Sequence, residues 1–340
     1  MEALQVAILG YGRSGSSLHA GPIEALSDFE MAAVCDIDPE RRREAKDRFG
    51  CPTYVDYREM LEEEDLDLVS IVTRSDQHCE MACESLRGGV DVLVTKPWCV
   101  DEAEAQRMIG AAEESGGRLL PWLPARWGAV YRRVRELVED GAVGEVFCVR
   151  RAEGGFAGRN DWQTESRYGG GYLLNWGPHI VDTAVLVAGG RVRTVHGWMK
   201  QVINPGDTED VFLADIEMEN GVRVVAERTV AIECPPSWYV QGDGGTLIAR
   251  GAEIILHQGR PESPADPTDP AAMQSQEPLL TRQSVAGARW GDAREIYSEV
   301  AAALRGEGEF GVSPEDALEL TRILDAVRTS SERGEVVEVF

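Results

Sequence analysis

Residues 4–15 read LQVAILGYGRSG, a short apolar run that breaks off into a turn with glycine at positions 10, 12 and 15. The run is the length of a strand, and the glycines fit the spacing G-x-G-x-x-G. Small residues at Gly10, Gly12 and Gly15 permit a tight turn, close approach of backbone to a pyrophosphate, and close packing of the next helix on the strand. That helix would aim its positive N-terminal end at the phosphates, which places Tyr11, Arg13 and Ser14 beside them. Gly-rich turns are common, so the neighbouring sequence has to decide.

It does so by alternation. MAAVCD (31–36) reads as a second strand ending at Asp36, about 20 residues past the third glycine, where the fingerprint places a ribose-binding carboxylate. LDLVSIVT (66–73) and VDVLVT (90–95) read as further strands, with helices closing at AKDRFG, HCEMACESLRGG and DEAEAQRMIGAAEESGG. Strands alternating with helices imply a parallel, doubly wound Rossmann sheet over residues 1–122. Asp36 binds both ribose hydroxyls of NAD and repels a 2′-phosphate, so NAD is favoured. Arg41, Arg42 and Arg43 just downstream keep NADP open as the alternative.

Residues 123–340 follow another pattern. A helix, YRRVRELVEDG (131–141), leads into VGEVFCVRRAEG, TVHGWMKQV, VFLADIEME, VRVVAERTVA, WYVQGDGGTLIAR and AEIILHQ. Hairpin signals between these runs imply a large, mostly antiparallel open sheet in an α+β domain. Residues 260–278, rich in Pro, Ala and Asp, read as a surface loop, and two helices close the chain, the second with Ser313 as N-cap and Pro314 at its first position.

Composition narrows the partners. The formal charge of -25 disfavours nucleic acid and anionic membranes. No apolar stretch approaches the roughly 20 residues of a membrane helix. Seven cysteines without CxxC spacing argue against a disulfide framework, and Cys79 and Cys83, at i and i+4, read as buried thiols. A cytoplasmic protein with reduced thiols is expected.

Two places outside the glycine turn carry chemistry. VDVLVT runs into Lys96-Pro97-Trp98, and the C-terminal end of a strand in such a sheet is where ligands bind. GGGYLLNWGPHIVDTAVLVAGG (169–190) sets His179 and Asp182, at i and i+3, on one side of an otherwise apolar helix. Two such residues suggest no third metal ligand, so no metal is expected. The preceding GRNDWQTESRYGGG offers Arg159, Asn160, Trp162 and Tyr168 as a sugar-facing surface or an ordinary loop, and Arg126 and Trp127 are weaker cleft candidates.

With the glycine turn, Asp36, Lys96-Pro97 and the His179–Asp182 stretch in this order, nearly the whole chain resembles the glucose-fructose oxidoreductase/inositol dehydrogenase (Gfo/Idh/MocA) family. The resemblance implies an NAD(P)-dependent oxidoreductase acting on a secondary hydroxyl or ketone of a sugar, cyclitol or glycoside. Lys96 matches the lysine of the family's E-K-P motif, His179 the catalytic histidine, and Asp182 the acidic residue one turn later. Asn175 would bind substrate, His179 would transfer a proton at neutral pH, and Asp182 would orient the imidazole. VTRSDQH resembles the family's strand end at the nicotinamide, which puts Thr73 and His78 there, with Arg74 in place of proline. The usual glutamate before the lysine is Thr95 and the usual aspartate before the histidine is Asn175, so more of the acid–base burden falls on Lys96 and His179. The family also implies a homodimer or homotetramer through one face of the second sheet. Two rival functions remain: a redox-neutral conversion with tightly held NAD, and a ligand-binding regulator without catalysis.

Overall fold

In the computed structural model, which describes residues 2–259, 268 and 277–339, the first part of the chain is a parallel sheet layered between helices. Its strands are β1 (Leu4–Leu9), β2 (Phe29–Cys35), β3 (Thr53–Tyr54), β4 (Leu68–Ile71), β5 (Asp91–Thr95) and β6 (Leu119–Trp122). They lie in the order β3-β2-β1-β4-β5-β6, which reverses between β1 and β4 and opens a crevice at the strand C-termini. Val6, Ala7, Ile8, Leu68, Val69 and Val92 are fully buried, because helices cover both faces of such a sheet and its strands read as continuous apolar runs.

The helices of this part are α1 (Ala20–Ala25), α2 (Pro39–Phe49), α3 (Tyr57–Glu63), α4 (His78–Arg87) and α5 (Glu102–Ser115). The Asp38 and Asp101 side chains cap α2 and α5 by accepting the Glu40 and Glu104 N–H groups. The first helix opens as a π-helical turn, Gly15–His19, before α1. The short β3 and α3, between the second and third expected strands, carry no strong periodicity and were not foreseen.

After α6 (Ala129–Glu139) comes the second sheet: β7 (Val146–Gly154), β8 (Val192–Lys200), β9 (Val211–Met218), β10 (Arg223–Thr229), β11 (Trp238–Gly242), β12 (Gly245–Arg250), β13 (Glu253–Gln258), β14 (Leu279–Ser284) and β15 (Val337–Glu338). The order is β14-β13-β12-β11-β7-β10-β9-β8-β15, antiparallel except for the central β7–β10 pair. Helix α7 (Tyr172–Ala188) packs across β7 and β10 on the inner face. The surface loop expected at 260–278 lies outside the described residues apart from Thr268, Glu277 and Pro278.

Helices α8 (Ala293–Leu304) and α9 (Pro314–Arg333) return to the first sheet. The buried Tyr297 hydroxyl of α8 meets His19 Nδ1 and Ser70 Oγ, each at 2.9 Å. From α9, Thr321 Oγ1 accepts the Trp98 indole N–H at 2.9 Å, which pins the segment just beyond β5.

Candidate active site

The three glycines have different reasons to be glycine. A Cβ on Gly10, whose φ is +91°, would lie 2.8 Å from the Val72 carbonyl oxygen, and one on Gly15 would lie 2.0 Å from the Gly10 oxygen. The fold itself demands these two. A Cβ on Gly12 would meet only the Arg41 side chain, at 3.0 Å, so Gly12 leaves a cradle open above the turn. Next to it the buried Asp36 carboxylate accepts the Tyr11 N–H at 2.7 Å and the Asp38 N–H at 2.8 Å. Arg41 lies 3.7 Å from that carboxylate, Arg42 donates to the Asp36 carbonyl at 2.6 Å, and Arg43 is exposed. Arg13 is exposed and Ser14 half-buried in the turn. A cradle bounded by a buried carboxylate fits a dinucleotide and its ribose.

At the end of β5 the chain turns through a cis Lys96–Pro97 bond. His78 braces this turn: Nδ1 lies 2.8 Å from the Pro97 carbonyl oxygen and Nε2 3.2 Å from that of Thr73. The ring is buried, with both nitrogens on backbone carbonyls, so His78 supports the site from behind rather than lining it as expected. Thr73 is half-buried at the end of β4, its hydroxyl donating to Met81 Sδ at 3.4 Å. The Lys96 ammonium donates to Asn175 Oδ1 at 2.7 Å and to the Asn175 carbonyl at 3.0 Å. Neither acceptor carries a charge. Burial, followed by the nearby charges of Arg159 and Arg13, therefore holds the Lys96 pKa down at about 7.

Helix α7 presents the histidine, and a residue far along the chain caps it. Gly171 at its N-terminus has no side chain to offer; Glu209 Oε1 accepts the Leu173 N–H at 2.8 Å and the Glu209 carbonyl accepts the Tyr172 N–H at 3.0 Å. His179 is buried against Trp290, ring centroids 4.9 Å apart, and faces the edge of Trp176 at 6.1 Å. Burial, then the charges of Lys96 and Arg151, press its pKa well below the ordinary value, so the imidazole is neutral at neutral pH.

One expectation about this helix is corrected. Asp182 does not orient the imidazole: its oxygens accept from Arg126 Nε at 3.0 Å and Nη2 at 2.8 Å, and His179 Nδ1 has no partner among the described residues. The turn after β6 brings a guanidinium to that side of α7, and a two-pronged charged bond outcompetes a neutral ring. Asn175 is turned onto Lys96 and anchors the amine.

Arg126 also bonds Asp316 at 2.8 Å, and the Trp127 indole donates to Glu299 at 2.7 Å, so neither weaker candidate is free for a ligand. Arg159 pairs with Asp161 at 2.7 Å and Trp162 is half-buried in a short helical turn. The Tyr168 ring carries Arg74 at 4.1 Å and Arg167 at 4.5 Å, which ties this loop to the end of β4. Sequence reasoning missed Trp176 and Trp290, whose rings pack on His179, Arg151, Glu153 and Arg289, which line the same pocket, and Arg228, which lies over Trp176. A signal for some of them existed: Arg151 and Glu153 follow Val149 at alternate positions of β7, and all three are buried. Among the described residues no three His, Cys, Asp or Glu side chains group to hold a metal, and no helix is long and apolar enough to cross a membrane.

Two family models match the chain. One, described as an oxidoreductase family with an NAD-binding Rossmann fold, covers residues 4–121, and the other, the GFO/IDH/MocA C-terminal domain, covers 131–248. The chain is similar to a D-apiose dehydrogenase of Paraburkholderia graminis, 28% identical over 346 residues that span 98% of this chain and 89% of the other. A scyllo-inositol 2-dehydrogenase (NADP(+)) of Bacillus subtilis is 22% identical over 352 residues, 99% of this chain and 96% of that one. Among solved structures, an NAD-binding protein from Listeria innocua superposes with a TM-score of 0.86 at 26% identity, covering 99% of this chain and 97% of that chain.

Proposed function

The chain belongs to the Gfo/Idh/MocA family of oxidoreductases, and we propose that it moves a hydride between a nicotinamide dinucleotide and a secondary hydroxyl or ketone of a sugar, cyclitol or glycoside. The observation that carries this reading is the Lys96 amine, set at a strand end beside the crevice, tethered by Asn175 and poised at about 7. The names of the apiose and inositol dehydrogenases support the substrate class.

A bound nicotinamide supplies the hydride acceptor or donor. The cradle over Gly12 would take the pyrophosphate, with Arg13 and Ser14 at its rim. Asp36 would take the adenosine ribose hydroxyls and favours NAD, with Arg41 as the contact that would serve NADP. The proton is the protein's task. In the oxidative direction the neutral Lys96 amine takes the proton from the substrate hydroxyl as its C–H hydride departs; in reduction the ammonium returns it. His179, its pKa lowered first by burial, would hydrogen-bond the substrate oxygen beside Lys96.

Residues 1–122 form the cofactor unit in this reading, and residues 123–340 bind substrate and assemble subunits. The outer face of the second sheet, where Trp198 is 49% exposed, is the contact of a homodimer or homotetramer in the cytoplasm. The test is a mass spectrum of the cofactor retained by purified protein, then a screen of sugars and cyclitols by NADH absorbance. Lys96→Ala should lower kcat on the substrate found by roughly 10²–10⁴. Unchanged turnover would remove the amine from the reaction.

A further inference from the structure

β7 and β10 run parallel, with Glu153 in register with Arg228. Each is only 5% exposed. Opposite charges buried side by side would ordinarily pair, but here they do not. Glu153 is taken by Arg151 Nη2, at 2.6 Å, and by Arg289. Arg228 forms no ion pair among the described residues; Nη1 donates to the neighbouring Thr229 carbonyl, and the buried Nε has no partner. Asp210, the other acid whose field reaches it, accepts the backbone N–H groups of Val202, Ile203 and Asn204.

A guanidinium withdrawn from water without a counter-charge is costly. The rings of Trp176 and Tyr172, 4.8 and 5.1 Å from it, return part of that cost. The rest is left in a chain of net charge -25, which has acids in excess. Trp176 is also the ring that His179 faces, so the unpaired cation and the candidate reaction centre share one aromatic neighbour.

We infer that the substrate carries an oxyanion, a carboxylate or a phosphate, that lies against the Nε–Nη2 edge of Arg228, so that the enzyme works on an acidic sugar rather than a neutral one. This rests on the oxidoreductase reading above. The free edge offers two N–H donors in one plane, the arrangement that recognises such a group. Trp176 would lie under the sugar between the anion and the reacting carbon.

Calorimetric titration of NADH-loaded protein with D-glucitol, D-gluconate and D-glucitol 1-phosphate tests it, because the three differ only at C1. At least one anion should bind about tenfold tighter than glucitol or better, and which one does identifies the group. Arg228→Gln should bring that ratio to about one, while Arg228→Lys, which keeps the charge but not the planar edge, retains part of it. Equal binding of all three to the wild-type protein overturns the inference even if neither variant folds, as does a preference that survives in Arg228→Gln. Turnover is read separately. Arg228-dependent anion binding with no sugar oxidised would overturn the oxidoreductase reading and leave the oxyanion site; oxidation of neutral sugars with equal binding would do the reverse.

Discussion

Replacing Asn175 by aspartate puts a carboxylate where the amide oxygen now accepts from Lys96 at 2.7 Å. At an effective dielectric constant of about 20, two unit charges about 3 Å apart attract by roughly 5–6 kcal/mol. Burying a second charge takes back much of that, and opposite charges at this range move a pKa by about 1–3 units. The Lys96 amine, now near about 7, should therefore titrate near about 8–10. The sign follows from its role as a base: the neutral form works, so kcat/KM rises with pH through this pKa. With a two-unit shift the neutral fraction at about pH 7 drops from about a half to roughly 1%, a fall of about 50-fold that is regained above about pH 9. The assay is kcat/KM against pH in the oxidative direction, with NADH binding measured alongside as a control. A limb that stays near neutrality while the rate drops evenly at every pH would refute the assignment of Lys96 as the titrating base.

The glycine turn separates folding from binding. Gly15→Ala, whose Cβ would press on the Gly10 oxygen at 2.0 Å, should yield little folded protein. Gly12→Ala should melt like wild type yet bind NADH at least about tenfold more weakly, and normal NADH affinity in it would mean that the cofactor does not approach there. Asp182→Asn leaves Arg126 with only the half-exposed Asp316, and should cost about 3 kcal/mol in urea unfolding with NADH affinity unchanged. Asp36→Ala should weaken NAD more than NADP, since only NAD loses a partner; equal loss of both in a fluorescence titration would sink the NAD preference.

The local code was enough for the first sheet. A parallel strand covered on both faces must be apolar throughout, and a turn that brings a helix within contact of its strand must be glycine, so β1, Gly10 and Gly15 were legible one residue at a time. Lys96 was legible for a similar reason, because a strand end in such a sheet opens into the crevice. What neighbours in sequence could not tell is which charges meet. Asp182 looks like a partner for His179 only until the turn after β6 delivers Arg126, 56 residues earlier in the chain. Nor does the sequence tell that β5 lays Lys96 against the Asn175 Oδ1. Trp290 reaches His179 from the far end of the chain, and Glu153, in register with Arg228, is held instead by Arg151 and Arg289, which leaves Arg228 without an ion pair among the described residues. Apolar burial leaves a periodic trace along the chain, whereas a buried charge is settled by whichever opposite charge or ring the tertiary packing brings within a few ångströms.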